Sequence, residues 1–352
     1  MEQDPMRRNG RHPAPPGHGP TSSRGHVRAS WRGVLEAWLP HPLARAVAGM
    51  PDEWAARLTE LRIRRQRPLL AVSGDGEAFV APSGALVGVP SDALIVDEAQ
   101  LQALVDRACG GSVYAVAEHL RQGFVTLPGG HRLGFAGRVV LDSPAQIRTL
   151  AEISSVAIRI ARALPDVARP LLPRLTVSRP GRTPRLGSTL VLSPPGAGKT
   201  TLLRDLARLA SWGVPELGLP GEQVVVVDER SELAGSYRGV PQHDVGPRTD
   251  VLDGCPKVEG IHWALRALSP GVLVTDEVGT AADAEAIARA AHSGCTILAS
   301  AHADDVWQAR RRPGLALLFE LGVFERVVVL SRRHGPGTVE RISSVAAGEG
   351  AP

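Results

Sequence analysis

Residues 193–200 read Ser193-Pro-Pro-Gly-Ala-Gly-Lys-Thr200, and the lysine in that stretch is one of only two in the chain, the other being Lys257. Of the 40 residues that are Lys or Arg, the remaining 38 are arginine. A sequence that writes arginine almost everywhere keeps lysine where a compact ammonium must sit between phosphate oxygens and a planar guanidinium does not fit. The flanks agree. Thr189-Leu-Val-Leu192 is an apolar run of strand length, and Thr200–Ala210 places Leu202, Leu203, Leu206 and Leu209 on one helical face. A glycine-rich turn between strand and helix is the setting of a phosphate-binding loop. Gly196 and Gly198 let backbone N–H groups converge on phosphate oxygens, and the helix start adds its positive dipole end. The expected ATP contacts are therefore Ser193, Pro194, Pro195, Gly196, Ala197, Gly198, Lys199, Thr200 and Thr201, with Thr200 also a Mg²⁺ ligand. The one departure from the motif is Ser193, which stands where its first glycine would be.

Outward from this loop, apolar runs alternate with helical stretches from residue 186 onward. The runs are Thr189–Leu192, Gln223–Val227, Gly271–Thr275, Cys295–Ala299 and Val327–Leu330; the helices lie near 200–210, 258–267, 281–291 and 303–311. That alternation predicts βαβ units and a parallel sheet covered on both faces. A further strand between the loop strand and the strand at 271–275 suits the RecA-like branch of P-loop ATPases. Two strands end in Asp-Glu, at Asp228-Glu229 and Asp276-Glu277. A carboxylate at the C-terminal end of a parallel strand faces the ligand crevice. Asp276 is assigned to Mg²⁺ and Glu277 to the attacking water. Asp228 and Glu229 form a second acidic set, near the same water or across a subunit boundary. His302 follows the strand at 296–301, placed to sense the γ-phosphate or to contact the acidic pair. Arg230, Arg248, Arg266 and Arg310 are candidates to neutralise transition-state charge.

Upstream, residues 1–30 are rich in Pro, Gly, Ser, Arg and His and read as a disordered tail. Residues 31–62 read as mostly helical, around Trp31–Leu39 and Glu53–Leu61. Strands follow at Pro68–Ser73 and near Phe79, helices at Glu98–Cys109 and Val113–Arg121. A hairpin joins Phe124–Leu127 to His131–Val140 through Pro128-Gly-Gly130, and Ile153–Ile160 is another strand. This divides the 352 residues into a smaller α+β domain at 31–165, a linker at 166–186, the α/β ATPase domain at 187–345 and a tail at 346–352. No run approaches 18 apolar residues and no signal-peptide pattern is present, so no membrane span is expected. Cys109, Cys255 and Cys295 lack any Cys-x-x-Cys spacing, which suggests a reduced cytoplasmic protein. The formal charge of +4 is spread along the chain, and an aromatic content of 4% leaves few platforms for stacking nucleic-acid bases.

At these residues the chain resembles the secretion-ATPase superfamily, the motors of type II and type IV secretion and of pilus retraction. That superfamily's Walker A loop, Asp box, Walker B and His box correspond to Ser193–Thr201, Asp228–Glu232, Leu273–Glu277 and Thr296–His302. The resemblance implies catalytic roles for Glu277, Asp228, Glu229 and His302. Arg266 matches an arginine-bearing segment before Walker B, and with Arg248 it completes the expected catalytic set. Within the superfamily the chain is similar to a sporulation branch, over roughly residues 31–345. The stretches that carry this are Glu60–Leu69, Gly123–Gly134, Ile153–Arg162, Asp228–Ala234 and above all Gly239–Lys257. It implies a cytoplasmic homohexamer on the mother-cell face of the membrane. There it would dock on a membrane protein of a channel into the forespore and drive that complex with ATP. Lys257 closes the most specific stretch; the simplest expectation for it is a surface lysine at a helix start. The competing reading is a P-loop ATPase associated with single-stranded nucleic acid. No nucleic-acid module is recognisable after residue 345, so nucleic acid is not the expected partner.

Overall fold

The computed structural model describes residues 31–110, 123–143 and 146–345. The two expected tails and the helix expected at Val113–Arg121 lie outside the described residues. The chain begins with three short helices, α1 (Trp31–Trp38), α2 (His41–Ala48) and α3 (Asp52–Ala55). The helix expected at Glu53–Leu61 stops there, because Leu58–Arg64 is a strand, β1. Leu58 and Leu61 are three residues apart and so mimic a helical face. A register shift between Leu58 and Glu60 instead brings both leucines to the inner side of the strand. From Leu61 on the burial alternates with period two, Leu61 and Ile63 inward, Arg62 and Arg64 outward.

Strands β2 (Leu70–Ser73), β3 (Gly76–Val80) and β4 (Leu86–Val87) extend this sheet on one side. Helix α4 (Glu98–Ala108) follows, its start fixed by a capping box between Asp97 and Gln100. The hairpin expected after it is present as β5 (Phe124–Thr126) and β6 (Arg132–Ser143), which pairs with β7 (Gln146–Arg159). The strand order is β4-β3-β2-β1-β7-β6-β5, antiparallel throughout. Leu35, Leu43, Leu58, Leu61, Leu104 and Ile158 close the core of this α+β domain.

The segment after β7 packs on the second domain. Its short helix α5 (Leu172–Leu175) buries Leu172 and Leu175 there. The hairpin of β8 (Thr176–Val177) and β9 (Arg185–Leu186) leads into β10 (Thr189–Ser193). The second sheet has the order β12-β11-β13-β14-β10-β15-β16, from β11 (Val224–Asp228), β12 (Thr249–Asp253), β13 (Val272–Thr275), β14 (Thr296–His302), β15 (Arg326–Ser331) and β16 (Thr338–Ser344). Every pairing is parallel except the last, β15 with β16.

Both faces of this sheet are covered, as continuous apolar strands require. Val191, Val226, Val274 and Leu298 pack against α6 (Lys199–Trp212) through Leu202, Leu203 and Leu206. Leu192, Val227, Leu273 and Ile297 face the other way, toward α7 (Lys257–Ala267), α8 (Ala281–His292), α9 (Val306–Arg310) and α10 (Pro313–Glu320). One feature of the order positions the site. Strand β14 lies between β10 and β13, so the C-terminal ends of the loop strand and the Asp276-Glu277 strand have His302 between them.

Candidate nucleotide site

The loop Ser193–Gly198 turns from β10 into α6 with Gly196 at φ 71° and Gly198 at φ 95°. Both values are reachable without strain by glycine alone. Ser193, at the position of the missing glycine, is buried and its hydroxyl donates to the Pro194 carbonyl at 2.7 Å. Lys199 opens α6, with Thr200 and Thr201 beside it in the first turn. The turn between β15 and β16 leans on the loop: the Gly337 N–H donates to the Ala197 carbonyl at 2.9 Å.

Lys199 Nζ lies 3.1 Å from His302 Nδ1, and His302 Nε2 lies 3.2 Å from Glu277 Oε1. The ammonium can only donate, so the chemistry selects the His302 tautomer that accepts at Nδ1 and donates from Nε2. His302 therefore touches the lysine and the carboxylate at once. The other Glu277 oxygen pairs with Arg230 at 2.5 Å. Burial lowers the Lys199 pKa, opposed by Glu277, Asp276 and Glu232.

Glu277 has left-handed backbone, φ 48°. For a non-glycine residue this costs about 1 to 3 kcal/mol and persists only where the surroundings enforce it. Here they do so by hydrogen bonds. The Glu277 N–H donates to Ser300 Oγ at 3.2 Å, the Val278 N–H donates to the Ser300 carbonyl at 2.8 Å, and Lys257 Nζ donates to the Glu277 carbonyl at 3.0 Å.

Asp276 is buried, and its Oδ2 has no hydrogen-bond partner within the chain. Burial first, then the charge of Asp228, pushes its carboxyl up to about 7, while Lys257 pulls the other way. An unsatisfied buried carboxylate oxygen beside a phosphate loop is what a hard divalent cation would complete. Asp276 and Thr200 thus fit Mg²⁺, the one through its free oxygen and the other through a first-turn hydroxyl.

The second acidic pair divides. Asp228 is fully buried, and both its oxygens are taken by the loop that follows: Oδ1 accepts from the Glu232 N–H at 2.9 Å and Oδ2 from the Ala234 N–H at 2.8 Å. Burial raises its pKa and these amides oppose the rise. Within this chain the carboxylate of Asp228, expected as a catalytic acid, has both oxygens engaged by the loop, and its charge acts on Asp276. Glu229, half exposed, does face the site side and lies 3.5 Å from Lys257 Nζ.

Of the four candidate arginines only Arg230 reaches the site within this chain. Arg248, just before β12, donates to the Ser211 carbonyl at 2.8 Å beside the far end of α6, and its carbonyl accepts from the Val224 N–H at the start of β11, so it lies at the N-terminal end of the strands, opposite the loop. Arg266 is exposed in the last turn of α7. Arg310 lies over the Phe319 ring, 5.0 Å from its centroid.

Residues outside the expected set also converge here. Arg204 of α6 donates to the Leu233 and Glu232 carbonyls, tying the loop after β11 to the phosphate-loop helix. Arg132 of β6 pairs with Glu232, and Gln242 accepts from the Gly129 N–H at 2.8 Å, so the first domain holds the same loop. Between them runs a cleft of about 570 Å³, lined by Arg62, Arg132 and Arg159 on one side and by Glu229, Arg230 and Glu232 on the other. Lys257, expected at the surface, is 5% exposed and lies 3.8 Å from Asp283. Asp283 was legible as the end of the capping box Thr280-Ala-Ala-Asp283. The long-range partners Arg132 and Gln242 carried no local signal.

The model of the family described as Sporulation stage III, protein AA matches residues 44–348. Stage III sporulation protein AA of Bacillus subtilis (strain 168) is 39% identical over 304 residues, covering 86% of this chain and 92% of that protein. The ycf45 protein of Cyanidium caldarium is 27% identical over 133 residues, 37% of this chain and 38% of that one. Among solved structures, the ATPase DotB of Yersinia pseudotuberculosis matches with a TM-score of 0.53 at 12% identity, over 82% of this chain and 76% of that chain. At that identity the likeness shows the fold: a RecA-like P-loop domain behind a smaller N-terminal domain.

Proposed function

The chain belongs to the sporulation stage III protein AA family, and from that premise we propose that it is a Mg²⁺-dependent ATPase, the motor of a channel complex between mother cell and forespore. The observation that carries the enzymatic part is the continuous contact Lys199–His302–Glu277 beneath the phosphate loop. Lys199 is held in reserve by a neutral imidazole. A polyphosphate arriving on the loop offers the ammonium a stronger partner. His302, freed on that side, keeps Glu277 oriented. Of the two carboxylates after β13, Asp276 is buried and Glu277 is partly exposed, so Glu277 orients the attacking water and accepts its proton. Bound between Asp276 and Thr200, Mg²⁺ would neutralise phosphate charge. Arg230 and Lys199 neutralise the charge that spreads over the γ-phosphoryl oxygens.

The family supports the sporulation setting, and the secretion-ATPase fold supports a ring of identical subunits. Among the described residues no helix is long and apolar enough to cross a membrane. A motor of such a channel then works from the cytoplasmic side, docked on a membrane protein of the same complex.

Phosphate release by the purified chain tests the enzymatic reading. We expect turnover with Mg²⁺ and ATP, and its loss in Lys199→Ala, which removes the charge that meets the phosphates. Full activity in that variant contradicts the assignment of the loop. For the setting, a pull-down from sporulating cells with membranes intact should recover a membrane protein; recovery of single-stranded nucleic acid in its place would favour the competing reading.

A further inference from the structure

We propose that Lys257 is a positioning residue, holding Glu277 turned toward the attacking water and coupling that turn to the loop after β11. This rests on the ATPase reading above. Both lysines of the chain connect to the same glutamate, one through a histidine and one directly. Lys199 reaches the Glu277 carboxylate through His302, whereas Lys257 donates to the Glu277 main-chain carbonyl at 3.0 Å. That carbonyl belongs to the residue whose backbone is left-handed. The same ammonium lies 3.5 Å from Glu229, on the segment after β11, and 3.8 Å from Asp283, in the first turn of α8. Asp283 in turn accepts from the Gly279 and Thr280 N–H groups at 3.1 and 3.0 Å. One buried cation therefore ties together three segments: the turn after β13, the start of α8, and the acidic loop that carries Arg230.

The residue type fits this task. An ammonium spreads three donors over three acceptors on different segments, where a guanidinium would present a flat fork. Space is short as well: one turn along α7, Gly260 packs so close to β11 that a Cβ there would come within 2.6 Å of Val227. With Lys257 gone, Glu229 and Asp283 lose the cation they share, and the Glu277 carbonyl loses its donor. The carboxylate on that residue then loses its fixed direction, while the phosphate loop, on the far side of β14, keeps its own contacts.

The test is a double-mutant cycle on hydrolysis and ATP binding, with wild type, Lys257→Met, Glu277→Gln and the double variant. We expect Lys257→Met to slow single-turnover hydrolysis by about tenfold to hundredfold, with ATP affinity nearly unchanged. In the Glu277→Gln background the same substitution should add almost nothing, because the route it acts through is already cut. Lys257→Gln, which keeps a donor for the carbonyl, should recover part of the rate, and it carries the same cycle should the methionine variant fail to fold. Additive losses, or an equal loss of binding and turnover, would overturn the proposal in favour of a role in folding alone. A readout independent of turnover is amide exchange in peptides spanning 276–280 of the protein without nucleotide. Exchange there should quicken in Lys257→Met while β13 stays protected, and unchanged exchange also overturns the proposal. A wild type that hydrolyses nothing defeats the ATPase reading, and the exchange measurement still decides the positioning of Glu277.

Discussion

Asp228 shows how one buried side chain can organise a whole loop. Its two oxygens satisfy two amides of the loop that carries Glu229 and Arg230. Asp228→Asn turns one acceptor into a donor facing an N–H group. We expect a loss of about 1 to 3 kcal/mol in denaturant unfolding, together with slower hydrolysis, since the loop that presents Arg230 is released. An unchanged unfolding midpoint would mean that the loop holds itself. His131 gives a second residue-level prediction. It is buried, its Nδ1 accepts from the Ala161 N–H at 3.0 Å, and burial lowers its pKa to about 4. Unfolded, it binds a proton near its ordinary value, so between those two pH values the unfolded state holds more protons and stability falls as pH falls. The term is about 3 kcal/mol, fully present above neutrality and lost on acidification toward pH 4. In His131→Asn, whose side-chain oxygen can replace Nδ1 as acceptor, the difference between midpoints at pH 7 and 4.5 should shrink by that order. An identical pH dependence would place the charge change elsewhere.

At the scale of elements, packing between α7 and β11 decides whether Lys257 reaches its partners. Gly260→Ala adds a methyl group within 2.6 Å of Val227 and forces the helix outward. We expect about 1 to 3 kcal/mol of destabilisation by thermal or chemical unfolding; no change would mean that α7 shifts freely. The elements themselves differ in how well the sequence announces them. Strands β10, β11, β13 and β14 are built on apolar runs, and α6 and α8 have clean helical faces with definite starts, so they are legible from the sequence. Strand β1 is misleading because a register shift spaces Leu58 and Leu61 like a helix. Strand β12 is hidden because Thr249-Asp-Val-Leu-Asp253 lies at the sheet edge, with little burial to leave an apolar signature. At the site, Lys199, Asp276, Glu277 and His302 were legible from motif and strand ends. The place of Arg248 was not, since only the three-dimensional path of the chain puts it at the N-terminal end of the strands, away from the loop of its own chain.

For the whole molecule, the meeting of the two domains matters most. Trp38 meets Tyr237 edge to face at 6.3 Å, Gly129 donates to Gln242, and Arg132 pairs with Glu232. All three contacts fall on the segment after β11, so the first domain holds the loop that supplies Arg230 to Glu277. Arg132→Ala together with Gln242→Ala should therefore slow hydrolysis while each domain keeps its own fold, as judged by circular dichroism; a full hydrolysis rate would show that the loop needs no support from the first domain. All of this depends on Glu277 being the residue that acts on water at an ATP site. The most direct test is a single-turnover experiment on Glu277→Gln, measuring bound ATP and released phosphate in the same sample. The account predicts ATP binding near the wild-type level and phosphate release slowed by about a hundredfold or more. Hydrolysis at the wild-type rate, or loss of binding in step with loss of hydrolysis, would contradict it.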